Sequence, residues 1–280
     1  MIPTNFVIGR RHSFFSFFIL SSTTSFMPPT PTTTPDAPSS SAPAVSAQPH
    51  HVYLCFHTLA SHLLASDDRA ESFDFATLLA RESFPHCPLF VTFNARVNPS
   101  RKPELRGCIG TFQAQELFNG LQTYALTAAL RDSRFPPIGA HELERLECSV
   151  SLLHGFEDAA RWDDWEVGVH GISVRFGLGG DVYSATFLPE VAEEQGWGVA
   201  ETVRHLIRKA GCFIEEGGGG GDEEEEEEEG DDGDVWVYRQ SGERMPLREL
   251  LEGISVERYQ SSKVSASYVE YLEWVKTEAQ

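Results

Sequence analysis

PLFVTFNA (Pro88–Ala95) and ELRGCIGTF (Glu104–Phe112) are the two stretches from which the fold can be read. The first is a short run of β-branched, aromatic and apolar residues, the composition of a buried strand. The second carries Leu105, Ile109 and Phe112 around two glycines and reads as another strand. Between them, Asn98-Pro99-Ser100 opens a polar turn that runs to Lys102-Pro103. The pair is therefore expected to form an antiparallel hairpin.

Working outward, Val52, Cys55, Phe56, Leu59 and Leu63 recur at helical spacing and predict an amphipathic helix over about 50–66. On the other side, Leu117, Phe118, Leu121, Tyr124, Ala125, Ala128 and Ala129 make one stripe, predicting a helix over about 114–131. Pro136-Pro137 stops it, and residues 142–146 add a short helical turn. Cys148, Val150 and Leu152 alternate with Ser149, Ser151 and Leu153 at the period of a strand. Val169–Phe176 and Val182–Leu188 flank Gly177-Leu178-Gly179-Gly180 and read as a second hairpin. A helix over about 198–210 buries Val199, Val203, Leu206, Ile207 and Ala210 and ends at Gly211. Structure resumes at Val235–Tyr238. The fold class is α+β, mainly antiparallel sheet with packed helices.

Charge separates this body from two appendages. Of the net −20, residues 215–234 supply −13 and residues 1–50 supply +1, leaving −8 for the rest. That balance gives no long-range pull on a nucleic-acid backbone. Residues 215–234 combine five consecutive glycines with seven consecutive glutamates and read as an unfolded insert within the domain. Residues 1–50 read as a disordered Pro/Ser/Thr-rich tail. Within it, Arg10-Arg11 before Phe14–Leu20 partially resembles a targeting peptide, while Met27 offers an alternative start. Five cysteines, odd in number and without a C-x-x-C pair, argue against a disulfide framework or a structural zinc site. They suit a reducing compartment, cytoplasm or nucleus. No apolar run reaches the roughly 20 residues of a membrane span.

The chemistry-bearing residues gather around Cys108. Its thiolate would be a nucleophile if Arg106 folded toward the sulfur. Amides near Gly107 and Gly110 can stabilise an oxyanion or hold a phosphate. The competing reading is a buried strand cysteine whose glycines permit close packing. His170, between Gly168 and Gly171, is a candidate general base, and Glu166 can orient it. After the second helix, Arg134 can bind an anion while Asp132 orients it through a fork-shaped hydrogen-bonded pair, or the two simply end the helix with a surface ion pair. There is no phosphate loop, dinucleotide fingerprint or metal-ligand spacing, so no cofactor or metal is assigned.

These segments resemble the AMMECR domain family, named for the Alport syndrome, midface hypoplasia and elliptocytosis chromosomal region. The resemblance rests on LRGCIGTF (105–112), ALRDSRFPP (129–137), CSVSLL (148–153), DWEVGVHGI (164–172), LPEVA (188–192), Gln195-Gly196-Trp197 and LIRKAG (206–211). Arg258-Tyr259 and Ser267–Tyr271 continue it, so it covers about 51–280. It implies a single domain of two sub-domains with the L-R-G-C-I-G stretch at a cleft. It also implies a role in nucleotide or nucleic-acid chemistry that is not settled, and association with Memo-like and radical S-adenosylmethionine proteins. Three functions follow. One is an enzyme with Cys108 as nucleophile and His170 or Glu166 as base, acting on a nucleotide or related small molecule. Another is a non-catalytic module in which Arg106, Gly107, Gly110, Asp132 and Arg134 bind a phosphate-bearing or peptide ligand. The last is an adaptor using the acidic insert.

Overall fold

A computed structural model of the chain describes Phe18–Ile19 and residues 46–64, 75, 85–96, 102–216 and 235–278. The strands, in chain order, are β1 (Phe18–Ile19), β2 (His86–Ala95), β3 (Glu104–Glu116), β4 (Leu146–Asp158), β5 (Gly171–Leu178) and β6 (Asp181–Phe187). Then come β7 (Phe213–Glu216), β8 (Val235–Tyr238), β9 (Arg244–Pro246) and β10 (Ser255–Ser267). The helices are α1 (Pro49–Leu63), α2 (Leu117–Leu130), α3 (Pro189–Gln195), α4 (Val199–Lys209), α5 (Leu247–Gly253) and α6 (Tyr268–Glu278). A 3-10 turn, Ala140–Arg145, precedes β4. No helix among the described residues is long and apolar enough to cross a membrane.

β2 and β3 form the expected antiparallel hairpin, with Thr92 opposite Cys108. They belong to one sheet of order β1-β3-β2-β4-β10-β5-β6. Its pairings are antiparallel except for β1, which lies parallel to Ile109–Gly110. β7, β8 and β9 make a second, three-stranded sheet. Glu215 and Glu216, expected as the first acids of the insert, pair with Trp236 and Val235 in that sheet. The remainder of the insert, 217–234, and most of the N-terminal tail lie outside the described residues.

Each face of the large sheet carries its own core. Alternation sends Val91, Phe93, Ile109, Cys148, Val150 and Leu152 to one face, where α1, α2 and α6 cover them. Phe56 of α1 anchors this side against Phe93, Tyr268 and Tyr271. Burying such a ring fully contributes on the order of 2–3 kcal/mol relative to exposure. Phe90, Cys108, Leu153, Ile172, Val174 and Tyr259 face the other way, toward α3, α4, α5 and the small sheet. The two sub-domains are thus the two sides of one sheet. Glu116, rather than a residue near 114, starts α2, its carboxylate accepting the Phe118 and Asn119 amides. Gly211, with φ +100, ends α4 as expected.

Two glycines of the hairpin are required by approach rather than by turning. A Cβ on Gly107 would run into the Ala128 carbonyl of α2, and one on Gly110 into the Phe90 ring and Leu89 carbonyl. Gly107→Ala is therefore expected to lose about 2–3 kcal/mol in urea unfolding, because backbone cannot swing aside. Gly198→Ala is the control: its φ is −77 and nothing lies within 4 Å of the added methyl. It should change stability by less than about 0.5 kcal/mol. Equal losses at the two positions would refute the close approach.

Candidate functional site

The Cys108 N–H and C=O both point to the outer edge of β3, away from β2. The Asp132 carboxylate accepts that N–H at 3.0 Å, and Arg134 Nη2 donates to the C=O at 3.2 Å. Asp132 and Arg134 are joined by further bonds of 2.6 Å and 2.9 Å. The turn after α2 thereby does for Cys108 what a neighbouring strand would do. Asp132 is buried, 4% exposed. Burial alone raises its carboxyl, but hydrogen bonds from Arg134 and from the Cys108 and Arg134 amides outweigh this and hold it below the usual range.

Arg106 does not share this environment. The pairing steps from Phe93–Gly107 to Asn94–Leu105, leaving Arg106 as the extra residue of a bulge. Its guanidinium forms a two-pronged pair with Glu142, both bonds 2.9 Å, and donates to the Pro136 carbonyl. The pairing with Arg106, helped by the Gly139 amide, brings the Glu142 carboxyl down to about 2 against the opposing effect of burial.

On the second sheet face, the register builds a polar row across consecutive strands: Cys108 of β3, Thr92 of β2, Ser149 of β4 and Ser265 of β10. The Thr92 hydroxyl donates to Cys108 Sγ at 3.0 Å, and the Ser149 and Ser265 hydroxyls lie 2.8 Å apart. The next row holds Ser151 opposite Lys263. Lys263 pairs with Glu190 of α3 at 2.7 Å. Lys209, in the last turn of α4, donates to the Thr186 carbonyl at 2.8 Å with its ammonium 4.7 Å from the Phe187 ring centroid. Burial lowers this amine to about 8, and it lies near enough to Cys108 and Arg134 to feel their charges. The strip runs from the closed end at Cys108 to the exposed Lys263 and Ser265. Ser265 also lines a cleft of about 570 Å³ with Arg96, Arg145 and Glu147.

The residues anticipated from sequence fall into separate places. Cys108, Asp132 and Arg134 are together. Gly107 and Gly110 serve close packing, and Arg106 is engaged with Glu142. His170 and Glu166 are bonded to each other: the Glu166 amide donates to His170 Nδ1 at 3.1 Å, and the His170 amide to the Glu166 carbonyl at 2.9 Å. They close the turn into β5, four places from β3 in the sheet order. The thiol is met by a threonine, not an imidazole. It is fully enclosed, and burial pushes it up to about 12 although Thr92 and Arg134 pull the other way. Thr92, Ser149, Ser151, Lys209, Lys263 and Ser265 were not anticipated. The one sequence signal for them is Ser149 and Ser151 at alternate positions in an otherwise apolar strand.

Comparison with known proteins places this arrangement in context. The family model AMMECR1 matches residues 52–217. An uncharacterised protein of Arabidopsis thaliana is 39% identical over 234 residues, covering 83% of this chain and 91% of that protein. One from Schizosaccharomyces pombe is 47% identical over 126 residues, 45% of this chain and 64% of that protein. The crystal structure of an uncharacterised protein from Pyrococcus horikoshii aligns with TM-score 0.53 and 24% identity, over 77% of this chain and 89% of that one. It shares the fold.

The Arg106–Glu142 pair sets a pH dependence. Glu142 has its folded value depressed from 4.5 to about 2, so its contribution is present above about 4.5 and is lost as pH falls toward 2. The side chains are 17% and 15% exposed, which calls for some discount against solvent screening. Glu142→Gln should lose about 1–2 kcal/mol at pH 7, with the difference from the parent chain closing between pH 4.5 and pH 2. Chemical unfolding across that range reads it. A difference independent of pH would mean that the carboxylate charge is not the stabilising element.

Proposed function

The chain belongs to the AMMECR1 family, and we propose that it is a binding module for a small phosphate-bearing ligand rather than a thiol enzyme, with the sheet-face strip as the site. The observation that carries this reading is the hydroxyl row Thr92–Ser149–Ser265 beside three cationic side chains, Arg134, Lys209 and Lys263, against two carboxylates, Asp132 and Glu190. The band is kept at low cost by its own hydrogen bonds, Thr92 to Cys108 and Ser149 with Ser265, which also hold the hydroxyls in a fixed row. Hydroxyls accept and donate without imposing charge, and Arg134, Lys209 and Lys263 supply positive groups at the same strip. The local sign is opposite to that of the acidic chain as a whole, which favours recognition at short range over long-range steering.

The enzyme reading draws little support from Cys108. A nucleophilic cysteine needs thiolate character, access and a base, whereas this sulfur is buried, raised to about 12 and bonded to a hydroxyl. The five cysteines are free and buried, which supports a reducing compartment such as cytoplasm or nucleus.

Two measurements test the reading. Adenosine monophosphate at about ten times its dissociation constant should raise the melting temperature by roughly 3–5 °C. Adenosine should not, and Thr92→Val with Ser265→Ala should remove most of the shift. No stabilisation by any of inorganic phosphate, nucleotide or sugar phosphate would end the proposal. In native iodoacetamide labelling at pH 8, Cys108 should react no faster than the equally enclosed Cys148. Selective labelling of Cys108 in the folded chain would restore the nucleophile.

A further inference from the structure

Binding uses the charge of Lys209 but not its capacity as a nucleophilic amine. Lys209 ends α4 with its side chain laid along Phe187 toward the strip, where Cys108, Arg134, Glu190 and Lys263 are gathered. Its surroundings are unlike those of a surface lysine. An aromatic face lies on one side, and the Thr186 carbonyl accepts one of its protons and fixes the nitrogen in place. The Cys108 and Arg134 side chains lie near enough to act on its charge.

We propose that Lys209 is a covalent capture site for a carbonyl compound, an aldehyde or ketone whose anionic group occupies the strip. This deepens the binding reading and rests on it. The uncharged Nζ adds to the carbonyl carbon, forming a C–N bond while the carbonyl π pair moves to oxygen, and one proton passes from nitrogen to that oxygen. The carbinolamine then loses its hydroxyl as water, taking the remaining Nζ proton, and leaves the imine. Amine and carbonyl go in, and imine and water come out. No oxidant or further reactant is required, and hydrolysis reverses the step. A nitrogen anchored by the Thr186 carbonyl is held ready to attack, and removal from water favours the neutral amine needed for addition. The amine lies at about 8, whereas an exposed lysine sits near 10.4. At pH 8 a larger share of Lys209 than of an ordinary exposed lysine is therefore free base.

The sequence makes the test clean, because the chain has only four lysines: Lys102, Lys209, Lys263 and Lys276. The probe is pyridoxal 5′-phosphate, an aldehyde carrying a phosphate, with borohydride to fix any imine and peptide mapping to locate it. The full chain at pH 8 should be modified at Lys209 about tenfold faster than at the other three. Inorganic phosphate should slow this reaction, and pyridoxal without its phosphate should react more slowly. Lys209→Arg keeps a cation for the Thr186 carbonyl and Phe187, so it should fold and lose the fast adduct. Modification of Lys209 no faster than Lys102 or Lys276, in a chain that adenosine monophosphate still stabilises, overturns capture and leaves the binding reading intact. Fast modification that neither phosphate nor loss of the probe's phosphate affects supports the amine chemistry and overturns the anionic ligand.

Discussion

The short β1 pairs only with Ile109 and Gly110 of β3, so the outer amide and carbonyl of Cys108, one residue earlier, must find other partners. The Asp132–Arg134 turn meets both groups of that residue. Everything near the site follows from this contact. It ties the end of α2 to β3, draws Gly107 against the α2 backbone, and brings the guanidinium to the rim of the polar row. Charge-assisted bonds to a buried carboxylate are stronger than neutral ones, so the tether is rigid.

Arg106 and Arg134 show how one residue type is put to two uses. A single bulge turns Arg106 out of the row and into the Glu142 pair, while Arg134 reaches the row from outside the sheet. Had the register been regular, Arg106 would have projected beside Cys108 in place of its present partner, and the thiol would have had a cation against it. The bulge thus separates the Arg106–Glu142 pair from the polar row.

Much of this was legible before any coordinates. Alternating Cys148, Val150 and Leu152 located β4, the stripe through Leu117, Leu121, Ala125 and Ala128 located α2, and Gly211 marked the end of α4. What escaped was whatever depended on chain segments far apart. β10 sits in the middle of the large sheet, yet its sequence, SVERYQSSKVSAS, lacks an apolar rhythm, because it shares the polar rows and because its pairing with β4 shifts register near Arg258. The short α3 was hidden by its length and its opening proline, a residue that suits the first helical turn. At the site, proximity was the missing knowledge. Asp132 and Arg134 lie 24 and 26 residues from Cys108 along the chain, yet both contact its backbone. His170 carried the right chemistry but in the wrong place, and Thr92, Ser149 and Ser265 look ordinary until the register lines them up.

The position of β10 has a consequence for how the molecule is made. β2, β3 and β4 are adjacent in sequence and can pair as they emerge during synthesis, but β4 then waits about a hundred residues for its other neighbour. β5 and β6 meanwhile form a hairpin with no neighbour on their inner side. Until β10 is translated, β4 and β5 each lack their partner on one flank, and the polar row is one strand short. The last arrival is the strand that joins them. Vectorial synthesis therefore assembles the halves early and delays the union, a period in which the nascent chain depends on shielding from its neighbours.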